Sequence, residues 1–381
     1  MELTVPKRDL LRLVARMQGV AERKSTMPAL SNVLLAVDGP NVLRVAATDM
    51  YLALVGRVQA DVVKGGSVAV PAKDLLDRVR MMPEGPIQIF VRDGSTTLKA
   101  LGSSRRYTLR GMPGEDYPVL PTPSASSTSF ALGVEVLQDL IARTYLSISS
   151  DETRAHLNSA LFEWDGEVVR MVTTDGHRLS KMEASVAGRQ ASAVMLIPLK
   201  AILELRRLCD DILGSDTSTM TDGVAKDVLD ISQSGANAFF TGGGMTFAVR
   251  LVDAQFPPYM QVIPQHNDKV LRVPRVVFAD ALKAVSVAAN ERTGGVRLNL
   301  RQGQVSIATE SPDSGEGFDE VPVDYTGPAM TVGFNAKYFL DVLGALKDDE
   351  IEIGLGGELD PAVIRPVGRT DFLAVVMPMR I

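Results

Sequence analysis

The sequence predicts an α+β fold made of three tandem repeats of one unit, each with two helices packed on antiparallel sheet. Three observations predict it. The order of elements recurs three times, two short landmarks recur at matching intervals, and polar, proline-containing linkers separate the copies.

The first copy opens with an amphipathic helix, KRDLLRLVARMQGVAE, near residues 7–22. Leu10, Val14 and Met17 line its apolar side, and Arg8, Arg12 and Arg16 recur every four residues on the other. Next, NVLLAVDGPNVLRVAATDMYLALVGRV alternates at period two around a turn at DGPN, the pattern of a strand run. VAVPAKDLLDRVRMM (68–82) reads as a strand followed by a short helix. IQIFVRD, TTLKALG and RRYTLRGMP are strands, closing on DYPVLPTP. The pattern restarts at Ser129: SFALGVEVLQDLIARTYLSIS is a strand and helix, and ALFEWDGEVVRMVTTDGHRLSKMEASV is the strand run. VMLIPLKAILELRRLCDDI repeats the strand-then-helix step, and MTFAVRLVDAQFPPYMQVIP the closing strand with its prolines. A third copy begins near Lys269, with VLRVPRVVFADALKAVSVAANE, VRLNLRQGQVSIATESPD, MTVGFNAKYFLDVLGAL and DFLAVVMPMRI in the same slots.

The registers agree. Thr48-Asp49, Thr174-Asp175 and Thr309-Glu310 are 126 and 135 residues apart; Pro71-Ala72-Lys73, Pro198-Leu199-Lys200 and Asn335-Ala336-Lys337 are 127 and 137 apart. The linkers PTPSASST (121–128) and PQHNDK (264–269) give domains at 1–121, 129–264 and 269–381. The strands at the two ends of such a row have edges without partners, and a second subunit is the simplest cover for them. The segment 216–244 reads as an enlarged hairpin of the second repeat.

Composition narrows the function classes. With 45% hydrophobic and 23% charged residues the chain is globular, and its single cysteine, Cys209, makes neither an internal disulfide nor a zinc cluster, which suits a reducing cytoplasm. The start places charges inside its apolar stretch, unlike a signal peptide, and no run approaches the length of a membrane helix. The net charge of −6 argues mildly against a nucleic-acid binder, but distribution matters more than the sum. Beyond the Arg8, Arg12, Arg16 stripe the helices are only mildly basic, with acids such as Asp74, Asp77 and Asp341 among them. Without an interleaved aromatic stripe or a base-reading motif, neither single-strand stacking nor sequence readout is expected.

RKSTMPALSNVLL (23–35), VTTDGHRLS (172–180), FPPYMQVIP (256–264), FNAKYFLDVLGALK (334–347) and VVMPMRI (375–381) resemble the bacterial DNA polymerase III beta subunit family, the DNA sliding clamps. The similarity runs the whole length, in the same order and with the same threefold repetition. It implies clamp-type domains, a head-to-tail homodimer closing six domains into a ring around double-stranded DNA, and helices lining the hole. It implies no catalysis and no cofactor. The replicative polymerase would be tethered by topology, which raises effective concentration without tight binding. Ring opening would fall to an ATP-driven clamp loader, and the chain has no phosphate loop of its own.

The resemblance also implies a pocket for a short linear peptide carried by the polymerase and other clamp-binding proteins. Its wall takes Leu157, Thr174, Gly176, His177, Arg178 and Leu179, then Pro257 and Val262, then Val375, Met377, Pro378, Met379 and Arg380. An apolar cleft with a few polar fixers suits such a peptide, and methionines adapt to different partners. Many family members carry a basic residue where this chain has Gln261, which changes one polar contact at the rim. DNA contacts would come from Arg8, Arg12, Arg16, Arg23, Lys24, Arg154 and Lys200. At the dimer interface, Tyr107 and Leu109 would meet Val287 and Ala288, with Asp313 and Glu316 candidates to pair with Arg105 and Arg106.

Two rivals are weighed against this reading. Asp175 and His177, two apart in a strand, could form an acid/base pair, with Asp49 in a matching site. No nucleophile elbow, HExxH motif or cysteine site accompanies them, and the three histidines (His156, His177, His266) lack metal-ligand spacing. A repeat scaffold that binds proteins without encircling DNA explains the repeats but not the motif set.

Overall fold

The computed structural model describes residues 1–22, 25–124, 128–186, 192–214, 227–312 and 315–380. The first repeat contains β1 (Glu2–Pro6), α1 (Lys7–Val20), β2 (Asn32–Val37), β3 (Val42–Thr48), β4 (Leu52–Gln59), β5 (Asp61–Lys64), β6 (Ser67–Pro71), α2 (Ala72–Met81), β7 (Pro86–Arg92), β8 (Ser95–Ala100), β9 (Arg106–Arg110) and the two-residue β10 (Met112–Pro113). The second contains β11 (Thr128–Gly133), α3 (Val134–Thr144), β12 (Ser159–Trp164), β13 (Val168–Thr174), β14 (Arg178–Ser185), β15 (Ala193–Pro198), α4 (Leu199–Leu213), β16 (Val228–Ser234), β17 (Asn237–Gly242) and β18 (Met245–Arg250). The third contains β19 (Lys269–Pro274), α5 (Arg275–Ser286), β20 (Gly295–Arg301), β21 (Gln304–Ser311), β22 (Gly315–Pro322), β23 (Met330–Asn335), α6 (Ala336–Ala345), β24 (Glu350–Leu355), β25 (Ala362–Pro366) and β26 (Phe372–Val376). The segment 216–244 contributes the β16–β17 hairpin, while its residues 216–226 lie outside the described residues.

Each helix follows a strand without a loop. Pro6, Pro71 and Pro274 sit at N-caps with no side-chain cap, their rings matching the extended-to-helical switch. The first helical N–H is instead met by a carbonyl from elsewhere in the same unit: Lys7 donates to Gly85, Val134 to Asp227 and Arg275 to Asp349, at 3.2, 2.8 and 2.8 Å. Asn335 caps α6 by accepting from the Lys337 amide at 2.9 Å. One face of α1 (Leu10, Leu13, Val14, Met17, Val20) is buried. Gly56 in β4 lets α1 approach, because a Cβ there would meet Leu13 Cδ2 at 2.5 Å.

Compactness does not follow the repeats. The chain divides into two units, Met1–Glu135 with Leu203–Leu251, and Val136–Ile202 with Val252–Ile381. Sheet continuity is the reason. In the first unit β4 pairs with β18, so the nine-stranded sheet β10-β6-β2-β3-β4-β18-β17-β16-β11 joins strands of two repeats. In the second, β14 pairs with β26 and makes the eight-stranded sheet β15-β12-β13-β14-β26-β25-β24-β19. Two smaller sheets complete them, β5-β1-β7-β8-β9 in the first unit and β22-β21-β20-β23 in the second. Strands β9 and β22 are each the last of their sheet.

Tyr117 fastens the stretch after β10 to the first unit's large sheet. Its hydroxyl donates to the Asn32 carbonyl at 3.2 Å and accepts from the Thr48 amide at 3.1 Å, and burial pushes its pKa up to about 12. Tyr117→Phe keeps the ring and strands both polar groups. It should cost about 1–3 kcal/mol, read as a lower midpoint in denaturant unfolding; an unchanged midpoint would mean water replaces the hydroxyl.

Candidate functional site

Six successive strands of the eight-stranded sheet, from β15 to β25, place apolar side chains on one face. Antiparallel registers set Leu196 beside Leu161, Leu161 beside Val172, Leu179 beside Val375, and Val375 beside Val363. With Leu373 they form one buried cluster, overlaid by the half-buried Val252, Phe256, Tyr259 and Ile263. A polar border runs along the same face: Tyr259 donates to Glu163 at 2.9 Å, and Arg170 bridges Glu163 and Glu183 at 3.5 and 3.0 Å. Burial, helped by Glu163, pushes the Tyr259 hydroxyl up to about 12, so it stays a donor.

At one end of this bed lies the β13–β14 turn. Thr174 Oγ1 donates to the Arg178 carbonyl at 2.7 Å and accepts from the Gly176 amide. Asp175 Oδ1 accepts from the amides of His177 and Arg178 at 2.9 and 3.0 Å. Gly176 takes φ +93°, a conformation that favours glycine. The same turn recurs at Thr48–Leu52, where Asp49 accepts from Tyr51 and Leu52. There Met50 itself adopts φ +75°. The third landmark diverges: Thr309 donates to the Gly295 carbonyl instead. The recurring Thr-Asp pair thus builds a turn. Asp175 is fully engaged in it, which removes the base from the acid/base alternative.

Arg178 is buried, although its neighbour His177 is exposed. Its guanidinium meets Asp175 at 3.1 Å and Asp341 at 2.6 Å, and lies 4.7 Å from the centre of the Tyr338 ring. The His177 ring lies nearly parallel to that of Tyr338, 6.4 Å away at 15°. Tyr338 and Asp341 come from α6; the sequence named Asp341 only as an acid diluting a helix's charge and gave Tyr338 no role. The available signal was the spacing of Tyr338 and Asp341, three apart and so on one side of the helix.

The C-terminal stretch is stitched to this turn. Met377 donates its amide to the His177 carbonyl and Met379 to the Gly333 carbonyl, both at 2.9 Å. Val375 is buried, Met377, Pro378 and Met379 are half-buried, and Arg380 is exposed. Pro257 and Val262 are half-buried in the overlying stretch, with Gln261 exposed beside them. Leu157 is buried two residues before β12. The result is an apolar bed with methionines and a fixed cation beside two aromatic rings at one end, a surface fit to hold an extended apolar peptide.

The basic residues have mixed fates. Arg8 and Arg12 are exposed on α1. Arg16 is turned inward, its Nε 2.6 Å from Asp211 and its Nη2 3.3 Å from the Glu204 carbonyl. Arg154 is exposed and paired with Asp151 at 3.0 Å, and Lys200 is exposed. Arg23, Lys24 and Asp313 lie outside the described residues. Tyr107 is half-buried and Leu109 buried in β9, while Val287 is 83% exposed just after α5. Gly317 lets this end of α5 lie on β22, since a Cβ there would meet the Val285 carbonyl at 2.9 Å and Ala288 at 3.2 Å. Among the described residues no group of three His, Cys, Asp or Glu is placed to hold a metal, and no helix is long and apolar enough to cross a membrane.

Comparison with known proteins bears on all of these features. Domain models of the DNA polymerase III beta subunit match in succession, the N-terminal domain at residues 1–121, the central domain at 131–258 and the C-terminal domain at 260–380. The beta sliding clamp of Pseudomonas putida is 34% identical over 383 residues, covering all of both chains. The crystal structure of the Pseudomonas aeruginosa sliding clamp with ligand superposes at a TM-score of 0.91, with 33% identity over the full length of both. A P. aeruginosa clamp bound to griselimycin does so at 0.91 with 32% identity.

Proposed function

The chain belongs to the DNA polymerase III beta subunit family, and on that premise we propose that it acts in DNA replication as a non-catalytic sliding clamp, paired with a second copy in a ring around duplex DNA. Its domains are 1–121, 129–264 and 269–381, and it works in the cytoplasm. The observation that carries this reading is the pair of free edges. In both large sheets the strand after the Thr-Asp turn pairs with the last strand of the following repeat: β4 with β18, β14 with β26. The third repeat offers β22 in that role, and the first repeat offers β9, the end strand of its small sheet, which only the two-residue β10 follows. A second copy brings those two together and covers both edges.

The repeats also supply a register. Leu52 faces Val249, and Arg178 faces Val376. Glu316 is the counterpart of Leu52, because Thr309 pairs with Gly317 as Thr48 pairs with Ala53. Leu109 is the counterpart of Val249, because Thr96 pairs with Leu109 as Ala238 pairs with Val249. Setting Glu316 against Leu109 brings Phe318 opposite Tyr107, Asp319 opposite Arg106 and Glu320 opposite Arg105. Phe318 is 65% exposed in the free chain, a large apolar side chain waiting for cover. The pairing therefore favours Asp319 and Glu320 over Asp313 and Glu316 as partners of Arg105 and Arg106. Val287 and Ala288 lie on the same margin.

The cleft between the Thr174–Leu179 turn, the Phe256–Ile263 stretch and the Val375–Arg380 tail takes the linear peptide of the replicative polymerase, the clamp loader and other clamp-binding proteins. Arg8 and Arg12 face DNA, as does exposed Arg154, without sequence preference. Retention comes from closure of the ring, and the chain's net charge of −6 is compatible with that because no tight phosphate grip is needed. The test is topological. Loader-assembled protein should stay on nicked circular DNA through gel filtration and leave when the circle is cut. Equal loss from circular and linear DNA would refute encirclement.

A further inference from the structure

Arg16 is the tenth residue of α1 and Arg143 the tenth of α3. Both turn away from solvent and reach the second helix region of the following repeat. Arg16 meets Asp211 at 2.6 Å, with 12% and 37% of the two side chains exposed; Arg143, also held by Asp139 of its own helix at 3.2 Å, meets Asp348 at 3.6 Å, with 5% and 24% exposed. The two acids also correspond: each is the thirteenth residue counted from the start of its helix, α4 and α6. One inter-repeat ion pair is therefore written twice, once in each compact unit. In the third repeat the tenth residue of α5 is Ala284, which is exposed. The thirteenth residue from the start of α2 is Glu84, which bonds to Lys7 of its own repeat at 2.7 Å with 85% of its side chain exposed. The Met81 carbonyl at the end of α2 is likewise occupied from within by Arg105.

We propose that this Arg–Asp pair, with its arginine withdrawn from solvent, locks the two junctions inside a chain, and that the lack of it where Ala284 would face Glu84 of a second copy is what lets the junction between chains part. This rests on the ring reading above. The physical logic is desolvation. Burial lifts the Asp211 carboxyl above its usual range in spite of Arg16 beside it, so the pair is costly to assemble. A junction formed once during folding bears that cost once. Opening a junction built this way would strand an arginine and a carboxylate at half-closed geometry and require their dehydration at every reclosure. An alanine against a solvated, already paired glutamate imposes no such barrier.

Subunit exchange between donor- and acceptor-labelled chains tests the proposal. Ala284→Arg should slow dimer dissociation about tenfold by supplying the missing partner for Glu84, whereas Ala284→Met should not. Adding Glu84→Gln to Ala284→Arg should restore the rate of Ala284→Met. Equal rates for Ala284→Arg and Ala284→Met in a protein that sediments as a dimer would overturn the assignment of the lock and leave the ring reading standing. Sedimentation of the unaltered chain as a monomer would overturn the ring reading and the unlocked junction with it. A second measurement addresses the locks themselves: Arg16→Met and Arg143→Met should raise amide exchange in α1 with α4, and in α3 with α6, about tenfold each over the unaltered chain. Unchanged exchange in both would overturn the locking role.

Discussion

Reversing charge at Asp319 and Glu320 together, to lysine, should weaken self-association by about 3 kcal/mol, roughly a hundredfold in dimer affinity. Both acids lie on the exposed edge strand β22, where the repeat register sets them against Arg106 and Arg105 of a second copy. Like charges brought face to face on adjacent strands repel and must still lose water, so the effect exceeds simple loss of two surface ion pairs. Sedimentation velocity across a concentration series measures it. Mixing this variant with one carrying Arg105→Glu and Arg106→Glu should restore a dimer, with one junction charge-swapped and the other unaltered. A variant that remains as tightly dimeric as the unaltered chain would show that the edges meet in another register or not at all.

Removing Met377–Ile381 should abolish binding of a clamp-binding peptide while leaving the dimer intact. The truncation deletes two half-buried methionines from the cleft margin and two backbone hydrogen bonds, to His177 and to Gly333. A linear peptide draws most of its affinity from a few anchored side chains, so losing one wall should cost at least about 3 kcal/mol. It leaves β26 and its pairing with β14 in place, since that strand ends at Val376. Fluorescence anisotropy of a labelled peptide reads the first effect and sedimentation the second. If the dimer dissolves along with peptide binding, the tail is a folding element and the cleft assignment loses its support. Tyr338→Ala offers a check that keeps the backbone: it removes the ring beneath Arg178 and His177.

Much of this architecture was legible in the sequence because its signals are local. Alternation at period two, apolar faces at helical spacing and proline at four of the six strand-to-helix steps placed the strands and helices within a few residues, and α1 and α2 end close to where the periodicity ends. The Thr-Asp landmarks marked a real repeat, because an aspartate two residues before a free amide builds its turn from short-range hydrogen bonds. The third landmark showed the limit of that inference: a Thr-Glu pair in the same slot makes a different contact.

Other features depended on residues brought together from far apart in the chain. Arg16 belongs to a regular basic stripe by spacing, yet it points into the protein, since an acid almost two hundred residues later lies beside it. Arg178 is anchored by Tyr338 and Asp341 from a helix of the next repeat, a pairing with no sequence signature. The same holds for the division of the second repeat between two compact units, because hydrogen bonding of β4 to β18 and of β14 to β26 carries the sheets across repeat boundaries. What the sequence determined by itself was the threefold unit and its elements, set by periodicity within windows of a few residues. What only the tertiary structure decided was which charges are buried, which helix packs against the Thr174–Leu179 turn and which strands lie at sheet edges, because each depends on desolvation and strand pairing between residues that no local pattern connects.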